Sequence, residues 1–221
     1  MKVKCTPIIL FLALIILTAC AQVEKVKEEQ ELLPEEQIPT TSEPEVNIEI
    51  TPSSPRRGTY DAKVKIFYYN DFGCEVCIEQ EKEFWNNLKQ EKYFENAEVS
   101  FFYKHFIPEN NENGMNAALS LECANKQKKF WPMHDFLAER LKRDSITMRT
   151  YAVEAGLATI EFNECFDGKK GQREINEDIQ EAKDMGATTA PFIVITNNQK
   201  RTITTAESEW TQRDATIKEM L

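Results

Sequence analysis

Two cysteines three residues apart, in Cys74-Glu75-Val76-Cys77, stand between an apolar run and a segment of helical periodicity. Thiols at that spacing reach each other at the start of a helix. The first one sits where unpaired backbone N–H groups and the helix dipole favour negative charge. A thiol there loses its proton more readily, and the thiolate is the nucleophile of disulfide exchange. Cys74 is therefore expected to attack. Cys77, one turn further in, is expected to be more buried and to resolve the mixed disulfide. Other readings use the same residues. A zinc half-site would need two more ligands, yet there is no second close cysteine pair, and the chain's two histidines, His105 and His134, are distant in sequence. A copper site needs only the two thiolates and one imidazole. A purely structural disulfide needs nothing further, and the pair by itself leaves these alternatives open.

The elements around the pair follow from periodicity. Residues 62–69 (Ala-Lys-Val-Lys-Ile-Phe-Tyr-Tyr) alternate and then become continuously apolar, which predicts a buried strand. A turn at 70–73 leads into a helix over about 77–90, with Ile78, Phe84, Trp85 and Leu88 at helical spacing. A second strand is expected over 98–104. Helices are expected over 115–130, 131–142, 146–155, 160–166 and 174–183, with Gly156 and Gly186 as C-terminal stops. Residues 191–196 and 201–204 predict a hairpin, with Asn197-Asn198 suited to a left-handed turn. A last helix covers about 208–220. The order is strand, helix, strand, helical block, hairpin, helix, an α/β arrangement without internal repeat.

The first twenty residues bear on compartment. Lys2 and Lys4 precede an apolar run, Ile8 to Leu17, too short to span a bilayer comfortably. It ends in Leu17-Thr18-Ala19-Cys20, which resembles the lipobox of prokaryotic lipoproteins. Residues 1–19 then read as a signal peptide and Cys20 as the acylated first residue of the mature chain; the alternative is an uncleaved membrane anchor. Either reading tethers the protein outside the cytoplasm. Residues 20–58, rich in Glu, Pro, Ser and Thr and without an aromatic residue before Tyr60, cannot build a core. They are expected to form a disordered tether spanning roughly 35 Å or more, with one short strand possible over 46–50. The folded domain is expected over 59–221, a size suited to a single core.

The full chain carries a formal net charge of −10, which becomes −12 when Lys2 and Lys4 leave with the signal peptide. That argues against nucleic-acid binding, which needs clustered Lys and Arg. Of six cysteines, Cys5 leaves with the signal and Cys20 carries lipid. Cys74, Cys77, Cys123 and Cys165 remain, an even number in an oxidising compartment. Cys123 and Cys165, both in the helical block, are expected to form a structural disulfide; an electron relay to the first pair and two buried free thiols are the alternatives. His105 and His134 are expected to be hydrogen-bonded structural residues.

Three segments give the chain a family resemblance. Asp71-Phe-Gly-Cys-Glu-Val-Cys77, the stretch from Leu121 to Phe136 containing Phe130-Trp-Pro-Met-His-Asp135, and Gly186-Ala-Thr-Thr-Ala-Pro-Phe-Ile-Val194 together resemble the DsbA-like branch of the thioredoxin superfamily. The resemblance covers most of 60–221. It implies a thioredoxin-like fold with a helical insertion, about 109–185, and an extracytoplasmic thiol–disulfide oxidoreductase. It also implies a cis-proline at Pro191 facing the cysteines, with Ala190 offering its backbone to an extended substrate. Such a proline crowds the thiolate and disfavours a metal, so neither metal nor cofactor is expected. The implied partners are protein thiols and disulfides, together with a membrane redox partner. No dimerisation domain is visible, and a monomer is expected. Two departures stand out. Strongly oxidising members often carry His as the second residue between the cysteines, whereas this chain has Glu75 and Val76, and Glu75 disfavours the neighbouring thiolate. The family's buried acid, six residues before the first cysteine, is Tyr68 here, which removes a proton acceptor. Both point to a pair less oxidising than that of the strongest oxidases.

Overall fold

The computed structural model describes residues 47–205 and 207–221. The expected signal peptide, Cys20 and most of the expected tether lie outside the described residues.

Five strands form one mixed sheet in the order β1-β3-β2-β4-β5. The central pair, β2 (Val64–Asn70) and β3 (Val99–His105), is parallel, with Val64 opposite Val99 and Asn70 opposite His105. Parallel neighbours need a crossover. Here it consists of α1 (Glu75–Leu88) and the short α2 (Lys92–Glu95). β4 (Phe192–Thr196) runs antiparallel to β2, and β5 (Arg201–Thr204) antiparallel to β4. Because β2 and β3 are covered on both faces, they read as apolar runs rather than as alternation. Ile66, Tyr68, Phe101 and Tyr103 face the larger core, and Phe67, Tyr69 and Phe102 the smaller one on the opposite face.

Between β3 and β4 lie α3 (Glu112–Lys126), α4 (Phe130–Ala138), α5 (Ser145–Glu154), α6 (Thr159–Asp167) and α7 (Gln172–Asp184). The first four add Leu121, Met133, Leu137, Met148 and Phe162 to the larger core, while Ala182 of α7 enters the smaller one. The α/β thioredoxin-like fold with a helical insertion is thus the one observed. Gly156 and Gly186 follow α5 and α7 with φ of 75° and 90°, the left-handed C-terminal stops expected of them. α8 (Trp210–Met220) closes the chain, with Ile217 and Met220 in the core.

Two expectations need correction. Ordered chain begins well before residue 59. Ile48 and Ile50 pack against the smaller core, but as an extended segment outside the sheet rather than a strand. The Glu49 backbone is held on both sides: its N–H donates to Glu181 Oε2 (2.9 Å), and its carbonyl accepts from Lys104 Nζ (3.2 Å). β1 (Arg56–Arg57) then pairs with Phe101 and Phe102. Arg57 lies against both Trp85 and Trp131, 4.3 and 4.2 Å from the ring centres. Composition marked this stretch as solvated, but two isoleucines and a clamped backbone suffice to dock it. The 197–200 turn also differs from expectation. Neither Asn197 nor Asn198 is left-handed; Asn197 Oδ1 instead accepts from the N–H groups of Gln199 and Lys200, which closes the turn through a side chain.

Candidate active site

Cys74 is the N-cap of the fourteen-residue α1, in extended conformation, and Cys77 lies in the first turn. The Cys77 N–H donates to Cys74 Sγ at 3.2 Å, placing one of the helix's unpaired donors on the sulfur. The two sulfurs are bonded to each other. Cys74 is half-buried, whereas Cys77 is 3% exposed. An attacking group therefore meets Cys74 first.

The loop before Cys74 is held from three directions. Asp71, itself buried, accepts the Cys74 N–H through its carbonyl (3.1 Å) and the Gly73 N–H through Oδ1 (2.7 Å). Its Oδ2 accepts from Asn111 Nδ2 at 2.6 Å. Asn111 is in turn the N-cap of α3, with its Oδ1 receiving the Gly114 N–H at 3.0 Å. Burial pushes the Asp71 carboxyl above its usual range, against the lowering effect of these two donors. Gly73 meets Gly114 so closely that a Cβ on Gly73 would stand 2.5 Å from Gly114 N, and one on Gly114 would stand 2.3 Å from Asp71 Oδ1. On the other side, the buried Arg143 donates from Nε to the Phe72 carbonyl (2.9 Å) and from Nη2 to the Leu137 carbonyl (2.7 Å). The loop that carries Cys74 is thus bolted to the helical insertion.

The peptide bond between Ala190 and Pro191 is cis, and the Ala190 carbonyl oxygen lies 3.4 Å from Cys77 Sγ. Once the pair is reduced, that carbonyl is placed to accept the Cys77 S–H. Glu75 and Val76 both point outward, Val76 with 67% exposure. Leu141 and Ile146, on either side of Arg143 in sequence, are 65% and 76% exposed. Tyr68 lies fully buried beneath, against Phe84 and Phe101, and burial holds its phenol far above the usual range. Phe72 is also core, against Tyr103 and His134.

Away from this site, Cys123 of α3 and Cys165 of α6 are joined by a second disulfide, 1% and 5% exposed. Both histidines are engaged by carboxylates rather than by the cysteines. His105 Nε2 meets Glu122 Oε1 at 3.0 Å; His134 Nε2 meets Glu81 Oε1 at 2.7 Å, and its Nδ1 meets Asp135 Oδ1 at 2.9 Å. Both His134 nitrogens are thus turned to carboxylates rather than to Cys74 or Cys77. Sequence reasoning passed over Arg143, Asn111, Gly114 and Glu81. Glu81 had a usable signal, since an acid four residues after Cys77 falls on the same helical face. The others act through contacts between segments distant in sequence, which no local pattern encodes.

The sequence profile of the family described as Thioredoxin matches residues 50–219. No curated protein sequence matches the chain. Among solved structures, oxidised BdbD from Bacillus subtilis superposes with a TM-score of 0.66 at 16% identity, covering 76% of this chain and 92% of the other. Wolbachia pipientis alpha-DsbA1 gives 0.65 at 19% identity, with 77% and 92% covered. The catalytic domain of Proteus mirabilis ScsC gives 0.60 at 20% identity, with 76% and 89% covered. At these identities the likeness establishes the fold, including its helical insertion.

Proposed function

Because the chain belongs to the thioredoxin family, we propose that it is an extracytoplasmic thiol–disulfide oxidoreductase that exchanges disulfides with protein substrates through Cys74 and Cys77. The observation that carries this reading is the asymmetry of the pair: a half-exposed sulfur at a helix N-terminus, fed by a backbone N–H, joined to a buried partner. In the oxidase direction, a substrate thiolate attacks Cys74 and the Cys74–Cys77 bond breaks. The electron pair goes to Cys77, which takes a proton. A second substrate thiolate attacks the substrate sulfur of the mixed disulfide, releasing oxidised substrate and the Cys74 thiolate. In the reductase direction the same bonds form in reverse. The exposed Val76, Leu141 and Ile146 suit substrates that present apolar, incompletely folded segments around their cysteines. Ala190 and Pro191 form the wall an extended substrate would lie against.

The oxidase direction is the preferred one, with a membrane redox partner removing electrons from the reduced pair. The mature chain would be a monomer, attached to the membrane through lipid on Cys20, with the residues after Cys20 as its leash. A reductase is the second reading, favoured by Glu75 beside Cys74 and by the absence of a His between the cysteines. The test is the reduction potential of the chain lacking residues 1–19 and carrying Cys20→Ser, equilibrated against glutathione. A value towards roughly −120 mV identifies a disulfide donor; a value near about −270 mV identifies a reductase and overturns the preferred direction.

A further inference from the structure

A buried charge costs free energy unless an opposite charge meets it. Lys104 meets that condition through Asp178 and Glu181, at 2.8 and 3.0 Å. Arg143, 3% exposed, does not. Its three nitrogens all donate to backbone carbonyls: Nε to Phe72 (2.9 Å), Nη1 to Lys142 (2.9 Å) and Nη2 to Leu137 (2.7 Å). No carboxylate pairs with it among the described residues. The Leu137 carbonyl belongs to the last turn of α4, the negative end of that helix, which holds the cation in place. Carbonyls carry only partial charge, so the unit charge of the guanidinium stands largely uncancelled where water is excluded. It also stands beside the loop of the reactive sulfur. Phe72, Gly73 and Cys74 belong to one turn, closed by the Cys74 N–H on the Asp71 carbonyl at 3.1 Å. Two peptide units separate the Phe72 carbonyl from the Cys74 Cα, which bounds the distance from Arg143 Nε to that Cα at roughly 10 Å. At an effective dielectric of about 20, a unit charge at that range changes a proton equilibrium by roughly tenfold. Burial raises the Asp71 pKa, and Arg143 is among the groups that pull it down, so the field of the guanidinium reaches this loop.

We propose that the buried, unpaired charge of Arg143 stabilises the Cys74 thiolate through space, offsets Glu75, and so makes the Cys74–Cys77 disulfide a stronger oxidant. The inference rests on the oxidoreductase reading above. Arg143 touches neither sulfur. It is a positioning residue for the loop, and its charge acts across the turn. In the reduced protein the Cys74 proton goes to solvent, and the thiolate left behind feels both the helix end and the guanidinium. Formation of the disulfide removes that thiolate and with it the stabilisation, so the charge favours the dithiol form. The same effect assists the exchange step. When a second substrate thiolate attacks the substrate sulfur of the mixed disulfide, the Cys74 sulfur leaves with the electron pair, and a stabilised thiolate leaves faster. The other charged or titratable groups around the guanidinium are Tyr151 from α5, Tyr103 from β3, Asp71 from the loop and Glu75 from α1. Of the two charges that oppose each other at Cys74, Glu75 is exposed and weakened by water, whereas Arg143 is buried and is not. The helical insertion thereby contributes to the chemistry of the pair as well as to the shape of its loop.

The test compares charge with shape. Alkylation of Cys74 is followed from about pH 4 to about pH 9, the range in which thiols titrate. The chain lacks residues 1–19 and carries Cys20→Ser and Cys77→Ser, which leaves Cys74 as its free thiol. The potential against glutathione is measured in parallel with Cys77 restored. Arg143→Gln still offers an N–H to the loop but carries no charge. It is expected to slow alkylation about tenfold on the acid side of the profile, with the alkaline plateau in place. The potential should fall by up to about 30 mV, the same factor converted. Arg143→Lys keeps the charge while changing the hydrogen bonds, and is expected to stay within about twofold of the wild type. An Arg143→Gln profile that coincides with the wild type overturns the proposal. So does equal slowing by both variants, or a lowered plateau without a displaced titration, since either means that Arg143 only shapes the loop. Should Arg143→Gln not fold, Arg143→Met, which fills the space without a polar group, decides by the same comparison. A wild-type pair that never exchanges with glutathione overturns the oxidoreductase reading instead, while the alkylation profiles still decide the role of Arg143.

Discussion

The two disulfides of this molecule use the same bond for opposite ends. Cys74 and Cys77 close a loop with a sequence separation of 3, at a helix start where one sulfur is within reach of another molecule. Cys123 and Cys165 close one with a separation of 42, deep between two helices of the insertion. In the chain-entropy account, the longer loop restrains the unfolded chain by at most about 4 kcal/mol and the short one by about 2. Surroundings separate them further. The Cys74 sulfur has a backbone N–H and the positive end of a helix to stabilise a thiolate; the buried pair lies in the larger apolar core, which favours no charge at all. Position on a helix, rather than the bond, makes a disulfide reactive.

The sharpest way to break that comparison is to remove each pair in turn. Cys74→Ser should abolish dithiol exchange, and Cys77→Ser should accumulate mixed disulfides at Cys74, visible as mass additions. Replacing both Cys123 and Cys165 by Ser should leave exchange intact while lowering the urea-unfolding free energy by up to about 4 kcal/mol. If the second replacement instead moved the potential of the first pair by more than about 30 mV, the two would be coupled and the insertion's disulfide would be a relay.

Next in size is the joint between the loop and the insertion. Gly114→Ala places a methyl 2.3 Å from Asp71 Oδ1 and 3.0 Å from Ile107 Cγ2. Asp71 is not free to retreat, because it is tied to Gly73 and Asn111. The expected cost is about 1–3 kcal/mol, with a drop in exchange rate, since the displaced loop carries Cys74. A rate unchanged by the substitution, at reduced stability, would show that the insertion supports the loop without positioning it.

How far the sequence foretold this arrangement depended on distance along the chain. The strand before Cys74, the helix after it and the helical block each announce themselves through their own periodicity, because a buried strand or helix face repeats within a few residues. The reactive pair was legible for the same reason. The Asp71–Asn111–Gly114 joint, the Arg143 contact with Phe72 and the docking of Ile48 and Ile50 were not. Each joins segments tens of residues apart, and an asparagine or arginine taken singly reads as surface. Tyr68 was legible as a departure, a phenol where the resemblance implied an acid, but its burial against Phe84 and Phe101 was not, because those rings come from α1 and β3.

The smallest effect concerns Glu75, the one charged side chain between the reactive cysteines. It is exposed, so its repulsion of a Cys74 thiolate is weakened by water and salt. Glu75→Gln should raise the reduction potential of the pair, because a thiolate freed from a negative neighbour stabilises the reduced form. For an exposed charge the shift should be on the order of 10 mV, largest at low ionic strength and fading as salt is added. The sign carries the argument. An upward, salt-sensitive shift means that the dipeptide restrains an otherwise more oxidising pair through charge alone. A shift of the same size that salt leaves untouched would mean that Glu75 acts through the geometry of the first turn. The contrast between the two disulfides would then rest on local shape rather than on the field at the helix end.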